Sequence, residues 1–153
     1  MSVLATVRKP IVVLDVSRSM ILPLSNDGGP SRLAFATGFA RRIISEDDSL
    51  VVFDLDVKVT RLRNVGLGGT ESRIGSALVF ASNEEQFENQ DSILLLTDGH
   101  ETATHYDLRA RQMVDRHDIP PVYAVGIGID ADVKLLKYLA DKTHGNFMHL
   151  RTA

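Results

Sequence analysis

Apolar residues run without a break through Ile11, Val12, Val13 and Leu14 and stop at Asp15. Unbroken apolarity over the length of one strand predicts a strand covered on both faces, in the middle of a parallel sheet. Leu50–Phe53, Asp91–Thr97 and Val122–Ile127 repeat the pattern, and Asn146–Leu150 predicts a short last strand. Val57, Val59 and Leu62 alternate instead with Lys58, Thr60 and Arg61, as in a half-exposed strand. The short connection through Asp54–Asp56 makes that strand antiparallel to the one before it, at a sheet edge.

Between the strands the period becomes helical. Ala36, Phe39, Ala40, Ile43 and Ile44 follow Ser31, which predicts a helix capped by Ser31 and ending near residues 45–48. Ser72–Ser82 predicts a second helix. Thr104–His117 predicts a third, with Tyr106, Ala110, Met113 and Val114 on one face. Asp130 or Asp132 opens a fourth, whose buried stripe is Val133, Leu136, Leu139 and Ala140 and whose end is Gly145. Strands alternating with helices from end to end predict a doubly wound α/β domain with helices on both sheet faces.

Length and charge narrow the picture. The chain of 153 residues predicts a single domain over 1–153, with its core at about 9–150 and enough apolar content to fill it. A net charge of −3, with no run of Lys or Arg, argues against a nucleic-acid partner. The absence of cysteine excludes disulfides and thiolate metal sites. MSVLATVRK is not a signal-peptide apolar segment, and no stretch approaches about 18 consecutive apolar residues. The expectation is a soluble, cytoplasmic chain without membrane insertion.

The candidate chemistry sits where apolar runs end. Asp15, Ser17 and Ser19 deliver three oxygen-bearing side chains at the carboxyl edge of a central strand, where open α/β sheets bind ligands. Oxygen donors with two neutral hydroxyls suit a hard cation, Mg²⁺ before Zn²⁺. The plainer alternative is a strand end with serines capping a turn. Asp98-Gly99, after the second strongly buried run, supplies another carboxylate at a strand end. Gly66-Leu67-Gly68-Gly69-Thr70 lets backbone approach something closely, but no Gly-Lys-Ser/Thr follows, so it is not a phosphate loop. Thr70 itself is either a helix N-cap or part of the site. Asp54 and Asp56 read as hairpin-turn residues rather than a metal pair. His100 and His105 resemble a zinc-protease pair but are five apart, about 140° round a helix, so they do not share a face. His117, His144 and His149 read as surface or cap residues. Ile21–Pro30, with Asn26, Asp27 and two glycines before Pro30, predicts a long connection beside the Asp15 edge, either a rim or an inert insertion.

Asp15-x-Ser17-x-Ser19, then Thr70 after Gly68-Gly69, then Asp98 in LLLTDG, occur in the order found in von Willebrand factor A (vWA) domains, which the chain resembles over about Lys9–Leu150. The resemblance implies a six-stranded, mostly parallel sheet with one short antiparallel edge strand. It also implies a metal-ion-dependent adhesion site at these five positions, with Ser17, Ser19 and Thr70 on the ion and Asp15 and Asp98 acting partly through water. Two features depart from the family pattern. Arg18 stands where a glycine is usual, and either points away or meets an incoming acidic group. The segment from Thr70 to Ala77-Leu78 is about two residues longer than usual, so Glu71 and Ser72 shift the geometry around Thr70.

A site with few anionic ligands leaves its ion an open position for a partner's carboxylate. The expectation is therefore a Mg²⁺- or Mn²⁺-dependent protein-binding module, not an enzyme, with Arg18, Asn26 and Asp27 at the partner-facing rim. The resemblance extends to A-domain proteins that work with AAA-type ATPases and to surface adhesion proteins. The rival readings are a Mg²⁺-dependent phosphoryl-transfer enzyme and a scaffold domain with an inert site. Haloacid-dehalogenase-type phosphatases have a second Asp two residues after the nucleophile, where this chain has Ser17.

Overall fold

A computed structural model describes residues 10–25, 28–99 and 110–151. In chain order these form β1 (Ile11–Asp15), β2 (Pro23–Ser25), β3 (Gly28–Ser31), α1 (Arg32–Ala40), β4 (Ser49–Phe53), β5 (Val57–Arg61), α2 (Ile74–Asn83), β6 (Ile93–Thr97), α3 (Ala110–Arg116), β7 (Val122–Ile127), α4 (Val133–Lys142) and β8 (Asn146–Leu150). Six strands make one sheet in the order β5-β4-β1-β6-β7-β8. All its pairings are parallel except β4 with β5, the antiparallel edge strand expected from the alternation at Val57–Leu62. No described helix is long and apolar enough to cross a membrane.

The unbroken apolar runs have the predicted physical cause. Ile11 and Val13 of β1 face a core layer that includes Ile93 and Leu95, Ile74 and Leu78 of α2, Val114 of α3 and Leu136 and Leu139 of α4. Val12 and Leu14 face the opposite layer, with Leu94, Leu96 and the Ala36, Phe39 and Ala40 stripe of α1. A central strand with helices on both faces has no side left to be polar. Ser31 caps α1 as expected, its hydroxyl accepting from the Ala34 amide at 3.0 Å. Asp132, not Asp130, caps α4, accepting from the Leu135 amide at 3.2 Å.

Several boundaries differ from the expectation. The predicted first helix ends at Ala40; residues 41–44 continue as turns in which Ile44 still buries its side chain. The Ile21–Pro30 connection is not a plain loop, since β2 and β3 pair as a small antiparallel ribbon over a buried Leu24. Helix α2 begins at Ile74, later than the Ser72 start. Of the Thr104–His117 helix, the part before Ala110, including Tyr106, lies outside the described residues.

Gly145 closes α4 as expected, though not by its own conformation. The left-handed residue is His144, at φ 64°, and not Gly145. The Gly145 amide bonds the Ala140 carbonyl at 2.8 Å and the His144 amide bonds the Asp141 carbonyl at 3.3 Å, the two bonds of a Schellman end. Gly145 is glycine for space, because a Cβ there would collide with the backbone of Val122. His144→Gly should therefore stabilise the fold by about 1 kcal/mol by relieving the left-handed conformation. Gly145→Ala should cost about 1–3 kcal/mol from overpacking. Urea unfolding checks both, and a stabilising Gly145→Ala would contradict this assignment.

Candidate metal centre

The site forms where two adjacent parallel strands end. Asp15 closes β1 and Asp98 follows β6 directly, and both residues are fully buried at 0% exposure. Asp15 Oδ1 accepts the Ser17 amide at 2.8 Å, while Oδ2 accepts Ser72 Oγ at 2.9 Å and Thr97 Oγ1 at 2.7 Å. Ser17 Oγ lies 3.3 Å from Ser19 Oγ, and Ser19 Oγ donates a short bond to Asp98 Oδ2. Arg32 Nη1 approaches the same Asp98 oxygen at 3.4 Å. Thr97 Oγ1 also accepts the Gly99 amide at 2.9 Å, where φ 81° turns the chain away from the sheet.

Neighbouring loops are held in place by backbone contacts. Met20, fully buried, pegs the short 3₁₀ turn Arg18–Ile21 beneath the site. The glycine-rich loop docks on it, with the Gly68 amide on the Val16 carbonyl at 2.6 Å and the Arg18 amide on the Gly69 carbonyl at 2.7 Å. Gly68 must lack a Cβ, which would collide with the Asp54 carboxylate and crowd Val16. Asp54 therefore serves the loop structure. Its Oδ2 accepts the Gly69 amide at 2.7 Å and its Oδ1 the Asp56 amide at 2.8 Å, as a turn residue should.

Asp15, Ser17, Ser19 and Asp98 are brought together. Thr70 follows Gly69, whose carbonyl accepts the Arg18 amide, but it is exposed and its hydroxyl makes no hydrogen bond among the described residues. Ser72, buried and on Asp15, stands there instead. Its signal in the sequence was the two-residue excess before Ala77-Leu78, which places the helix start after Ser72 rather than after Thr70. Thr97 was also missed, although it directly precedes Asp98 in the buried run. Arg18 is exposed at the edge of the site. Asn26, Asp27, His100 and His105 lie outside the described residues. His117 and His144 are exposed, and His149 is half-buried with Nε2 on the Gly128 carbonyl at 2.7 Å.

No protein-family model matches the chain, and no curated protein matches it either. Solved structures do. The conserved hypothetical protein BatB from Bacteroides thetaiotaomicron superposes with a TM-score of 0.70 over 94% of this chain and 90% of that one, at 17% identity. The VWA domain of SpRpn10 gives 0.57 over 94% and 88%, at 11% identity. VWA2, the ArnB paralog of Sulfolobus acidocaldarius, gives 0.62 over 92% of this chain and 40% of that one, at 22% identity. The fold is that of a von Willebrand factor A domain.

In this vWA fold the donor set suits a small divalent cation. Every candidate ligand is an oxygen, and only two of them are carboxylates. Among the described residues no group of three His, Cys, Asp or Glu side chains converges as a metal site, so a cation held here would depend on the hydroxyls. The Ser17–Ser19 hydroxyl separation of 3.3 Å is close to the roughly 3 Å between adjacent ligands on an octahedral Mg²⁺.

The electrostatics point the same way. Burial, and then the charge of Asp98, push the Asp15 carboxyl up from an ordinary 3.8 to about 6, against the opposing pull of its Ser17 and Thr97 hydrogen bonds. A folded-state value above the unfolded one means that the folded chain holds this proton more tightly. The stability it contributes is fully present below pH 3.8 and is lost as pH rises through about 6. By pH 7 that loss amounts to about 3 kcal/mol in metal-free protein. Asp15→Asn should remove this slope and leave the chelator-treated protein at least as stable as wild type at pH 7.5. Thermal melts across pH 4 to 7.5 check it; an Asn variant melting several degrees lower at pH 7.5 would show that the Asp15 charge supports the empty fold.

Proposed function

We propose that this domain is a divalent-metal-dependent protein-interaction module that binds an acidic side chain of a partner. The observation that carries the reading is the meeting of Asp15, Asp98 and the hydroxyls of Ser17, Ser19 and Ser72 at the carboxyl edge of a vWA sheet. Ser17, Ser19 and Ser72 would hold a Mg²⁺ or Mn²⁺ ion, with Ser72 in the place first expected of Thr70. Asp15 positions Ser17 and Ser72 through its hydrogen bonds, and Asp98 anchors Ser19. The bound ion supplies a positive centre with a position open to a carboxylate. Arg18, exposed beside it, offers a planar fork of donors to a second acid or a carbonyl of the same partner. Asn26 and Asp27, in the connection after β1, would be further residues for the partner to read.

The arrangement speaks against phosphoryl transfer on Asp15. A nucleophilic carboxylate needs a reachable oxygen, whereas both Asp15 oxygens are hydrogen-bonded and the residue is fully buried.

Calorimetric titration of chelator-treated protein should show one Mg²⁺ or Mn²⁺ per chain. Asp98→Ala should abolish it, Ser72→Ala should weaken it about ten-fold, and Thr70→Ala and Arg18→Gly should stay within about three-fold of wild type. Equal binding by wild type and Asp98→Ala would end the metal reading. For the Mn²⁺-loaded domain, water-proton relaxation should fall on adding a short glutamate-containing peptide and not on adding its glutamine counterpart. Identical responses to the two peptides would end the carboxylate reading.

A further inference from the structure

A buried cation stands behind the candidate centre. Arg32 opens α1 with its side chain 5% exposed, and it is the only buried Lys or Arg among the described residues. Two local penalties attach to that position. The first turn of a helix is where a positive charge is least favoured. Arg32 Nε is moreover buried without a hydrogen-bond partner. Gly128 makes the room, since a Cβ there would fall 2.7 Å from the guanidinium carbon. Something must offset these costs, and the guanidinium's ion pairs do. Nη1 lies 3.4 Å from Asp98 Oδ2, at the end of β6, and Nη2 lies 2.5 Å from Asp130 Oδ1, after β7.

Asp98 is fully buried beside a second buried carboxylate, so it cannot draw its counter-charge from water. The oxygen that faces Arg32 is also the one that accepts from Ser19. We propose that Arg32 is the site's resident counter-charge: it balances Asp98 when no ion is bound and, by like-charge repulsion, lowers the affinity of any divalent ion that arrives. Asp130, at 53% side-chain exposure, sets how much of the guanidinium's charge falls on Asp98. The arrangement makes ion binding weak and reversible without making the empty fold unstable. It rests on the metal reading above.

The two ion-pair partners predict effects of opposite sign. Arg32→Met should lower the melting temperature of chelator-treated protein, yet bind Mg²⁺ about ten-fold more tightly than wild type. Asp130→Asn leaves the guanidinium to Asp98 alone and should bind Mg²⁺ about three-fold more weakly, with little change in melting. A merely structural Arg32 would weaken ion binding when removed. Calorimetry with Mg²⁺ on the three proteins decides. If wild type binds the ion and Arg32→Met binds it no more tightly, this inference is overturned and the metal reading stands. Should Arg32→Met fail to fold, Asp130→Asn carries the test, and unchanged or tighter binding by it overturns the inference. A wild type that takes up no ion overturns the metal reading and this inference with it.

Discussion

Two carboxylates buried side by side at the ends of neighbouring central strands are the constraint around which the rest of the site is arranged. Buried negative charge is tolerated only with donors or counter-charge close by. Asp15 meets the requirement with three hydrogen bonds from Ser17, Ser72 and Thr97. Asp98 meets it with Ser19 and with the guanidinium of Arg32. The division of labour is unequal, because Asp15 has only neutral donors. Its carboxyl accordingly keeps a raised proton affinity, whereas Asp98 has a positive partner at hand. A small cation placed among the same hydroxyls would relieve both at once.

The scaffold that imposes this constraint is rigid where it needs to be. β1 and β6 pair in register from Ile11 with Ile93 to Leu14 with Leu96, so their ends fall at the same level. Each carries core residues on both faces, and neither strand can slide without exposing one set. The loops above are tied to that level by backbone bonds from Gly68 to Val16 and from Arg18 to Gly69, and by the Asp54 carboxylate, which accepts the Gly69 amide. Close approach to Asp54 and Val16 explains the glycine at 68 alone, since a Cβ at Gly66 would meet nothing within 4 Å. None of Gly66, Gly68 and Gly69 has a positive φ, so conformational freedom is not the loop's purpose.

Two arginines flank the site and illustrate how burial separates roles. Arg18 is exposed, so its charge is screened and available to whatever docks. Arg32 is shut away from water, so its charge acts on Asp98 and Asp130. In the sequence the two are a charged residue after a strand and a charged residue after a helix cap, and nothing in composition distinguishes them. The placement of Arg32 in the first turn of a helix, against the macrodipole, is the one local sign that it serves something beyond that helix.

What the sequence determined by itself was set by local periodicity. Apolar runs of strand length, interrupted by helical stripes, leave few arrangements other than a doubly wound sheet, and the alternation at Val57–Leu62 marked the antiparallel edge. The same runs showed where Asp15 and Asp98 must emerge, because a carboxylate ending a doubly buried strand falls at a sheet edge. Tertiary structure decided what depends on residues distant in the chain. Ser72, just ahead of α2, donates to Asp15 across 57 residues of separation, a contact that no local periodicity announces. The left-handed position at the end of α4 went to His144 because Gly145 was needed where the chain passes the Val122 backbone. Arg32 met Asp98 across 66 residues of separation, a contact that only the closing of the sheet creates.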